Sequence, residues 1–416
     1  MGKRLGMATP TARLGLNGLN FFHAAAQTGF GPFIAVYLTQ RGWSQTDIGV
    51  ALSIGTAAGL ISQLPSGMLV DLVHRKRGIT AVALVLLGVS ALLLVAWPSR
   101  ELVWASQILH AVASGVMVPA LAALTLSLSG HDGFSAQLGV NSRYGSLGNA
   151  AAAGLLGVAA SYLSTGAVFL FTAALVVPAL LALLAIRPEH YVDPHEDHPS
   201  LQHPRVMRRR PERPWHIYRL HSLHIFGAAT VLFHLSNAAM LPLALNDLAR
   251  RGGNTGLVIS AAIIVPQIVS AVIAPWVGRA AQRFGRRPVL LAGFLVLPLR
   301  GLLLAAQLGA VPLAAMQALD GVSASVFGIM VPLIAADVTR RTGYLNLAIS
   351  SIGLAVSIGA TISTTLGGLV ADRYGISAAL LGLAAAGLAA TVLIWVALPE
   401  TRPARRRRAR PSLAPA

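Results

Sequence analysis

The sequence predicts an all-α integral membrane protein with twelve transmembrane helices arranged as two halves of six. Three observations carry this. The composition is 55% hydrophobic and 11% charged, where soluble domains carry roughly a quarter charged residues. Twelve apolar stretches approach the ~20 residues that a bilayer-crossing helix needs. Landmarks of the first half also return in the second at nearly constant spacing.

The stretches lie near residues 15–38, 47–70, 79–97, 102–128, 137–163 and 166–186, and then near 221–247, 255–277, 288–307, 310–337, 344–370 and 376–398. Between the two sets runs a polar segment, 187–219, whose prolines and mixed charges lack core-forming periodicity and read as a solvated linker. The expected organisation is a bundle over 1–186, the linker, a second bundle over 220–398, and a basic tail over 399–416. The 41 glycines and 23 prolines are dispersed within apolar runs, which excludes collagen-like and low-complexity classes. With no cysteine, disulfide scaffolds, thiolate nucleophiles and cysteine metal sites are excluded as well.

Charge sets the expected orientation. Most of the 32 Lys and Arg residues fall on one side: Lys3, Arg4 and Arg13; Arg75, Lys76 and Arg77; Arg143; the arginines of the central segment; Arg279, Arg283, Arg286 and Arg287; Arg340 and Arg341; and the tail. The positive-inside rule makes that side cytoplasmic, with both termini on it. The formal charge of +18 then reflects topology, with membrane lipids as partners of the tail and no nucleic acid. The basic N-terminus lacks a cleavage-site pattern and reads as retained. The preference for arginine over lysine fits a bacterial inner membrane.

An internal duplication orders the halves. Phe22-His23 recurs as Phe233-His234 and Gly67 as Gly278, each 211 residues on; Gln107 and His110 recur as Gln317 and Asp320 at a spacing of 210. Two similar halves are what a transporter needs to rock around a central site.

The run Gly67-Met-Leu-Val-Asp71-Leu-Val-His-Arg75-Lys-Arg77 resembles the loop signature of the major facilitator superfamily, and Gly278 to Arg287 is similar to its second copy. The resemblance covers the whole chain. It implies two six-helix bundles related by pseudo-two-fold symmetry, alternating access, and a monomer. It also implies that Gly67, Asp71, Arg75, Arg77, Gly278, Gln282 and Arg286 carry gating contacts. His74 replaces a usual glycine and Gln282 a usual acid, so those contacts are expected to be asymmetric. Gln107 stands where proton antiporters of the superfamily usually have arginine, and the fifth span has Gly148, Gly154 and Gly157 without a Gly-Pro pair.

Polar groups within spans are costly and mark functional candidates. Asn20, His23 and Gln27 share one helical face at i, i+3 and i+7, and His234 with Asn237 repeats the arrangement. If the repeat is symmetric, these faces meet at the midplane as the polar part of a substrate site; the alternative is interhelical hydrogen bonding. Gln107, His110, Gln317 and Asp320 occupy the outer halves of their helices. Asp320 can carry a coupling proton, or it can form a fixed ion pair with Arg300. Asp71 can cap a neighbouring helix or pair with Arg75 or Arg77, and Asp337 is expected to pair locally with Arg340 and Arg341. His190, His195, His198 and His203 in the linker match no defined metal spacing.

No HExxH, GxSxG or P-loop pattern is present, so neither an enzyme nor an ATP-driven pump is expected, and no cofactor is implied. The expected function is a secondary transporter that moves a small organic molecule by alternating access, with proton-coupled efflux favoured. Proton-coupled uptake of a small metabolite is the alternative, and metal-ion efflux a remoter one.

Overall fold

The computed structural model describes residues 9–30, 32–73, 75–96, 99–187, 214–250, 255–340 and 342–402. Thirteen helices follow in order among them: α1 Pro10–Thr28, α2 Pro32–Gln40, α3 Gln45–Leu72, α4 Lys76–Ala96, α5 Arg100–Tyr162, α6 Thr165–Leu184, α7 His221–Asn237, α8 Met240–Arg250, α9 Thr255–Phe284, α10 Arg286–Ala305, α11 Ala310–Thr339, α12 Leu345–Tyr374 and α13 Ile376–Ala397. Ten helical stretches of the described residues are long and apolar enough to cross a membrane.

The difference from twelve has physical causes. A continuous α5 of 63 residues would be ~95 Å long, some three bilayer cores. It instead turns at Gly130, whose φ of 61° and ψ of 177° interrupt the helical backbone. Asn141 on the returning arm donates to the Thr125 hydroxyl at 2.7 Å, and two residues sixteen apart meet only where the chain has folded back. The first crossing is split as well: α1, carrying Asn17, Asn20, His23 and Gln27, is too polar to qualify alone, and α2 continues it. With α5 counted as two arms, and with α1–α2 and α7–α8 as broken crossings, each of the twelve expected stretches has a helical counterpart.

Some expected boundaries move. The return arm of α5 begins about six residues before 137, and α9 runs seven residues past 277. Arg143 lies within the return arm of α5. The end of the expected linker is structured: Pro214–Arg219 forms a 3-10 turn with Ile217 fully buried, and the Tyr218 hydroxyl lies 3.0 Å from that of Ser351 on α12. The linker histidines and the arginine run of the tail lie outside the described residues.

Lipid-spanning bundles gain little from apolar attraction between helices, so close packing and hydrogen bonds hold them. α1 packs on α5 and α6, and α7 packs on α12 and α13. Phe169 and Leu19 sit in one half's core, Phe226, Phe233 and Phe294 in the other's. Between the halves, α5 lies along α9 and α3 along α12.

The start of α1, the end of α13, the junctions of α3 with α4, α9 with α10 and α11 with α12, and the α5 turn share one face, here the terminal face. On it, the Glu400 carboxylate accepts from the backbone N–H groups of Arg286 and Arg287 at 2.8 and 3.1 Å, capping α10. Arg402 donates to the carbonyls of Gln282 and Arg283 at the end of α9.

Glycine is indispensable where α1 meets the return arm of α5. A Cβ on Gly148 would collide with the backbone carbonyl of Phe21, whereas one on Gly154 would meet nothing within 4 Å. Gly148→Ala is expected to lower stability by about 1–3 kcal/mol, with Gly154→Ala close to neutral, when thermal unfolding of the two variants is compared in the same detergent.

Candidate functional site

A cavity of about 580 Å³ lies between the halves, within the range of pockets that hold small organic ligands. Its apolar wall comes from Val118, Leu121, Leu138, Phe327, Val331 and Ile352; its polar groups are Asn20, His23, Gln63, Asn141, Asn149 and the hydroxyls of Thr125, Ser142, Ser146, Ser350 and Ser357. No carboxylate, lysine or arginine is among these lining residues.

Of the residues singled out in sequence, Asn20 and His23 line the cavity. Gln27 stands behind His23, with its amide 3.3 Å from the His23 ring and donating to the Ser114 hydroxyl at 2.8 Å. Ser114 in turn lies 3.5 Å from His110, whose ring stacks on Phe30 at 3.9 Å. Gln107 is buried one turn away. His23, Gln27, Ser114 and His110 form one polar chain inside the first half, leading from the cavity wall toward the far face, while the Gln107 amide nitrogen has no partner among the described residues.

The second half closes its own cluster elsewhere. Arg300, only 1% exposed, donates to Asn237 at 2.5 Å, to Asp320 at 2.8 Å and to Gln317 at 2.7 Å. None of these four lines the cavity. His234 turns from Asn237 toward the Thr230 carbonyl, 3.2 Å away, and packs edge-on against Phe327 at 4.8 Å. The expectation that the polar faces of the first and seventh spans meet is therefore corrected: each face is satisfied within its own half, because a polar side chain in hydrocarbon takes the nearest partner it can reach.

Of the signature residues, Gly67, Asp71 and Gly278 sit at the seams between the halves, near the terminal face. The Asp71 carboxylate accepts from the Asn346 backbone N–H at 3.1 Å, the Asn346 side-chain amide at 2.7 Å and the Leu347 N–H at 2.8 Å. It caps α12, which has no side-chain cap of its own, and a carboxylate is favoured at a helix N-terminus. Arg75 is exposed, and Arg77 reaches the Leu184 carbonyl at 3.5 Å. Gly67 permits the approach, since a Cβ there would strike Asn346 and Ser350.

The duplicated seam is built differently. At Gly278 the carbonyl accepts from the Ser135 hydroxyl at 2.5 Å, while Gln282, where Asp71 would recur, accepts from Arg286 at 3.4 Å within its own half. Arg286 pairs with Asp337 at 2.8 Å, both side chains being buried. Asp337, expected from sequence to pair locally with Arg340 and Arg341, is thus bonded to Arg286 of α10, with the charge of Arg340 also acting on it, and Arg341 lies outside the described residues.

Sequence reasoning missed Gln63, Asn141, Ser142, Ser146, Asn149 and Ser350. The signal was present: Gln63, Gly67 and Asp71 recur at i, i+4 and i+8, as do Asn141, Gly145 and Asn149. Small residues interleaved with them masked the stripe.

The Arg300 cluster makes a stability prediction. Asp320→Asn removes the only formal negative charge in contact with Arg300 among the described residues, and is expected to cost about 3 kcal/mol. The pair replacement Arg300→Met with Asp320→Leu should recover much of this. Thermal unfolding of the three proteins checks it, and an unchanged midpoint for Asp320→Asn alone would show that the ion pair is not structural.

The model of the Major Facilitator Superfamily matches residues 16–246 and again 226–415, once per half. An uncharacterised MFS-type transporter of Mycobacterium tuberculosis, known from two strains, is 35% identical over 398 residues, 94% of each chain. Among solved structures, the human organic anion transporter MFSD10 (TETRAN) superposes with a TM-score of 0.73 at 15% identity, over 93% of this chain and 100% of that one. The Escherichia coli fucose:proton symporter FucP gives 0.70 at 15% identity, over 92% and 97%. The two-fold match, the relative spanning nearly the whole chain and the paired bundles agree: this chain belongs to the major facilitator superfamily.

Proposed function

We propose that the chain exports a small, neutral, amphipathic organic compound across a bacterial inner membrane by alternating access, driven by protons. Transport by alternating access follows from family membership. The observation that supports the substrate class is the cavity lining. It offers one broad apolar wall and a set of amides and hydroxyls, with no fixed charge to select an ion. A strongly anionic metabolite or a bare metal ion would lose its hydration without gaining a counter-charge.

His23 is the group best placed to carry the coupling proton. It is the one titratable side chain on the lining, it is backed by Gln27, and histidine is the side chain whose charge changes near neutral pH. Asp320, the other candidate, is held against Arg300 and away from the cavity. The orientation rests on Arg75, Lys76, Arg77, Arg279, Arg283, Arg287 and Arg340, all at the terminal face, which the positive-inside rule makes cytoplasmic. The polar half of the lining also suits uptake of a hydroxylated metabolite, which is the second reading.

Energised inside-out vesicles test the proposal. A panel of neutral amphiphiles, lipophilic cations and organic acids is added while the pH gradient is followed. Neutral amphiphiles are expected to dissipate the gradient with the native protein and not with His23→Ala, although His23→Ala still exchanges labelled compound across liposomes. Labelled exchange without gradient loss in the native protein would remove proton coupling, and accumulation against the opposite gradient would establish uptake.

A further inference from the structure

His23 lines the cavity, and Gln27, one turn along α1, meets its ring from behind. The Gln27 amide nitrogen lies 3.3 Å from His23 Nε2 and donates to the Ser114 hydroxyl at 2.8 Å, and the Ser114 O–H donates back to the Gln27 carbonyl oxygen at 3.2 Å. A primary amide nitrogen only donates, so an imidazole nitrogen facing it has to accept. In this arrangement His23 is neutral, with its one proton on Nδ1. A charged imidazole carries N–H on both ring nitrogens, and its Nε2–H would then point at the amide N–H₂, donor against donor.

A half-turn of the Gln27 amide removes the conflict and leaves the other heavy atoms in place. It exchanges nitrogen and oxygen, which are close in size, so the oxygen comes to stand beside His23 without new space. Ser114 is within reach of both amide positions, and a hydroxyl both gives and receives. It therefore keeps two bonds to Gln27 in either orientation, and neither orientation strands a buried polar atom of the amide.

We propose that Gln27 is a positioning residue for the coupling proton: its amide donates to neutral His23 and turns over to accept from charged His23. The proton does not pass through the amide. It is bound and released on the imidazole ring, and the amide sets which charge state the ring holds, since a hydrogen bond accepted from the charged form favours that form. This rests on the reading of His23 as the carrier of the coupling proton, and adds the residue that sets the pH at which it loads. Few other charges bear on the pair. α1 packs on α5 and α6; α1 itself adds Arg13 near its start, and α6 has no titratable side chain. α5 brings His110, 3.5 Å behind Ser114, an exposed Arg143 and a half-buried Tyr144 on its return arm, and Arg100, Glu101, His131 and Asp132 toward its ends. The cavity lining adds no carboxylate, lysine or arginine.

The full chain, labelled with nitrogen-15 at histidine and glutamine and reconstituted in liposomes, is followed by solid-state NMR from about pH 4 to about pH 9, a range that brackets histidine titration. His23 and Gln27 signals are assigned with His23→Gln and Gln27→Leu. In the native protein the Gln27 side-chain nitrogen is expected to shift with the same midpoint as the His23 ring. Gln27→Glu, a permanent acceptor, should move the His23 midpoint up by about 1 pH unit or more, and Gln27→Leu, which offers no acceptor, should move it down by about 1 unit. A side chain that only fills space would not shift the midpoint in opposite directions. If His23 titrates while the native Gln27 nitrogen stays still, or if both variants keep the native midpoint, the switch is overturned and His23 stands as the proton carrier. If His23 does not titrate in the native protein, both readings fall.

Discussion

Hydrocarbon offers no hydrogen-bond partner, so every polar group that this chain carries into the membrane must be satisfied by the chain itself or by what it binds. That constraint sorts the polar residues into three groups. Two clusters are bonded within a half: His23, Gln27, Ser114 and His110 in the first, Arg300, Asn237, Gln317 and Asp320 in the second, each with one buried nitrogen, His110 Nδ1 and Arg300 Nε, left without a partner among the described residues. A further set joins the halves at the seams, through Asp71 with Asn346 and Ser135 with Gly278. Others, such as His23, Gln63 and Ser142, face the cavity, where a ligand can meet them.

The same constraint explains which features were legible in the sequence. Helices in lipid must be long, apolar and internally bonded, so the composition and the run lengths disclosed the architecture, and the 211-residue spacing disclosed its symmetry. The separation of 102–128 from 137–163 was legible and the chain turns between them, at Gly130; the break within the first crossing, after Thr28, was not, because it depends on packing that no local pattern states. The polar faces were found, but not their partners. Asn237 matches Gln27 by position, yet one answers to Arg300 and the other to Ser114. Duplication preserves the place of a residue on its helix; the neighbours on other helices diverge freely.

Asymmetry between the halves has a chemical origin in two substitutions. Where the first half has Asp71 the second has Gln282, whose neutral amide brings no negative charge to a helix N-terminus. The second seam relies on a serine hydroxyl and a carbonyl, and the arginine that would have met an acid there turns to Asp337. The second half likewise carries its ion pair deep in the bundle, where the first carries only neutral amides, a serine and imidazoles.

These differences bear on how the halves can move. Along α5 and α9 contacts recur at successive levels: Ser135 with Gly278, Gly139 with Ala274, Ser146 with Ser270, and Asn149 with Gln267. They follow some fourteen residues of helix, or ~21 Å, with Ser325 bonded to Ser270 as a third strut. Along α3 and α12 they run from Asp71 through Gly67 to Gln63 and Gly353; beyond that, Gly59 and Gly55 face Ala111 and Gln107 of their own half. On α12 past the cavity, Thr361, Thr364 and Thr365 are exposed, their hydroxyls turned back onto the helix's own carbonyls. One seam is thus bonded along its length and the other clasped near its terminal-face end. Separating the halves at the terminal face parts the Asp71 contacts with α12 and the Ser135–Gly278 bond alike.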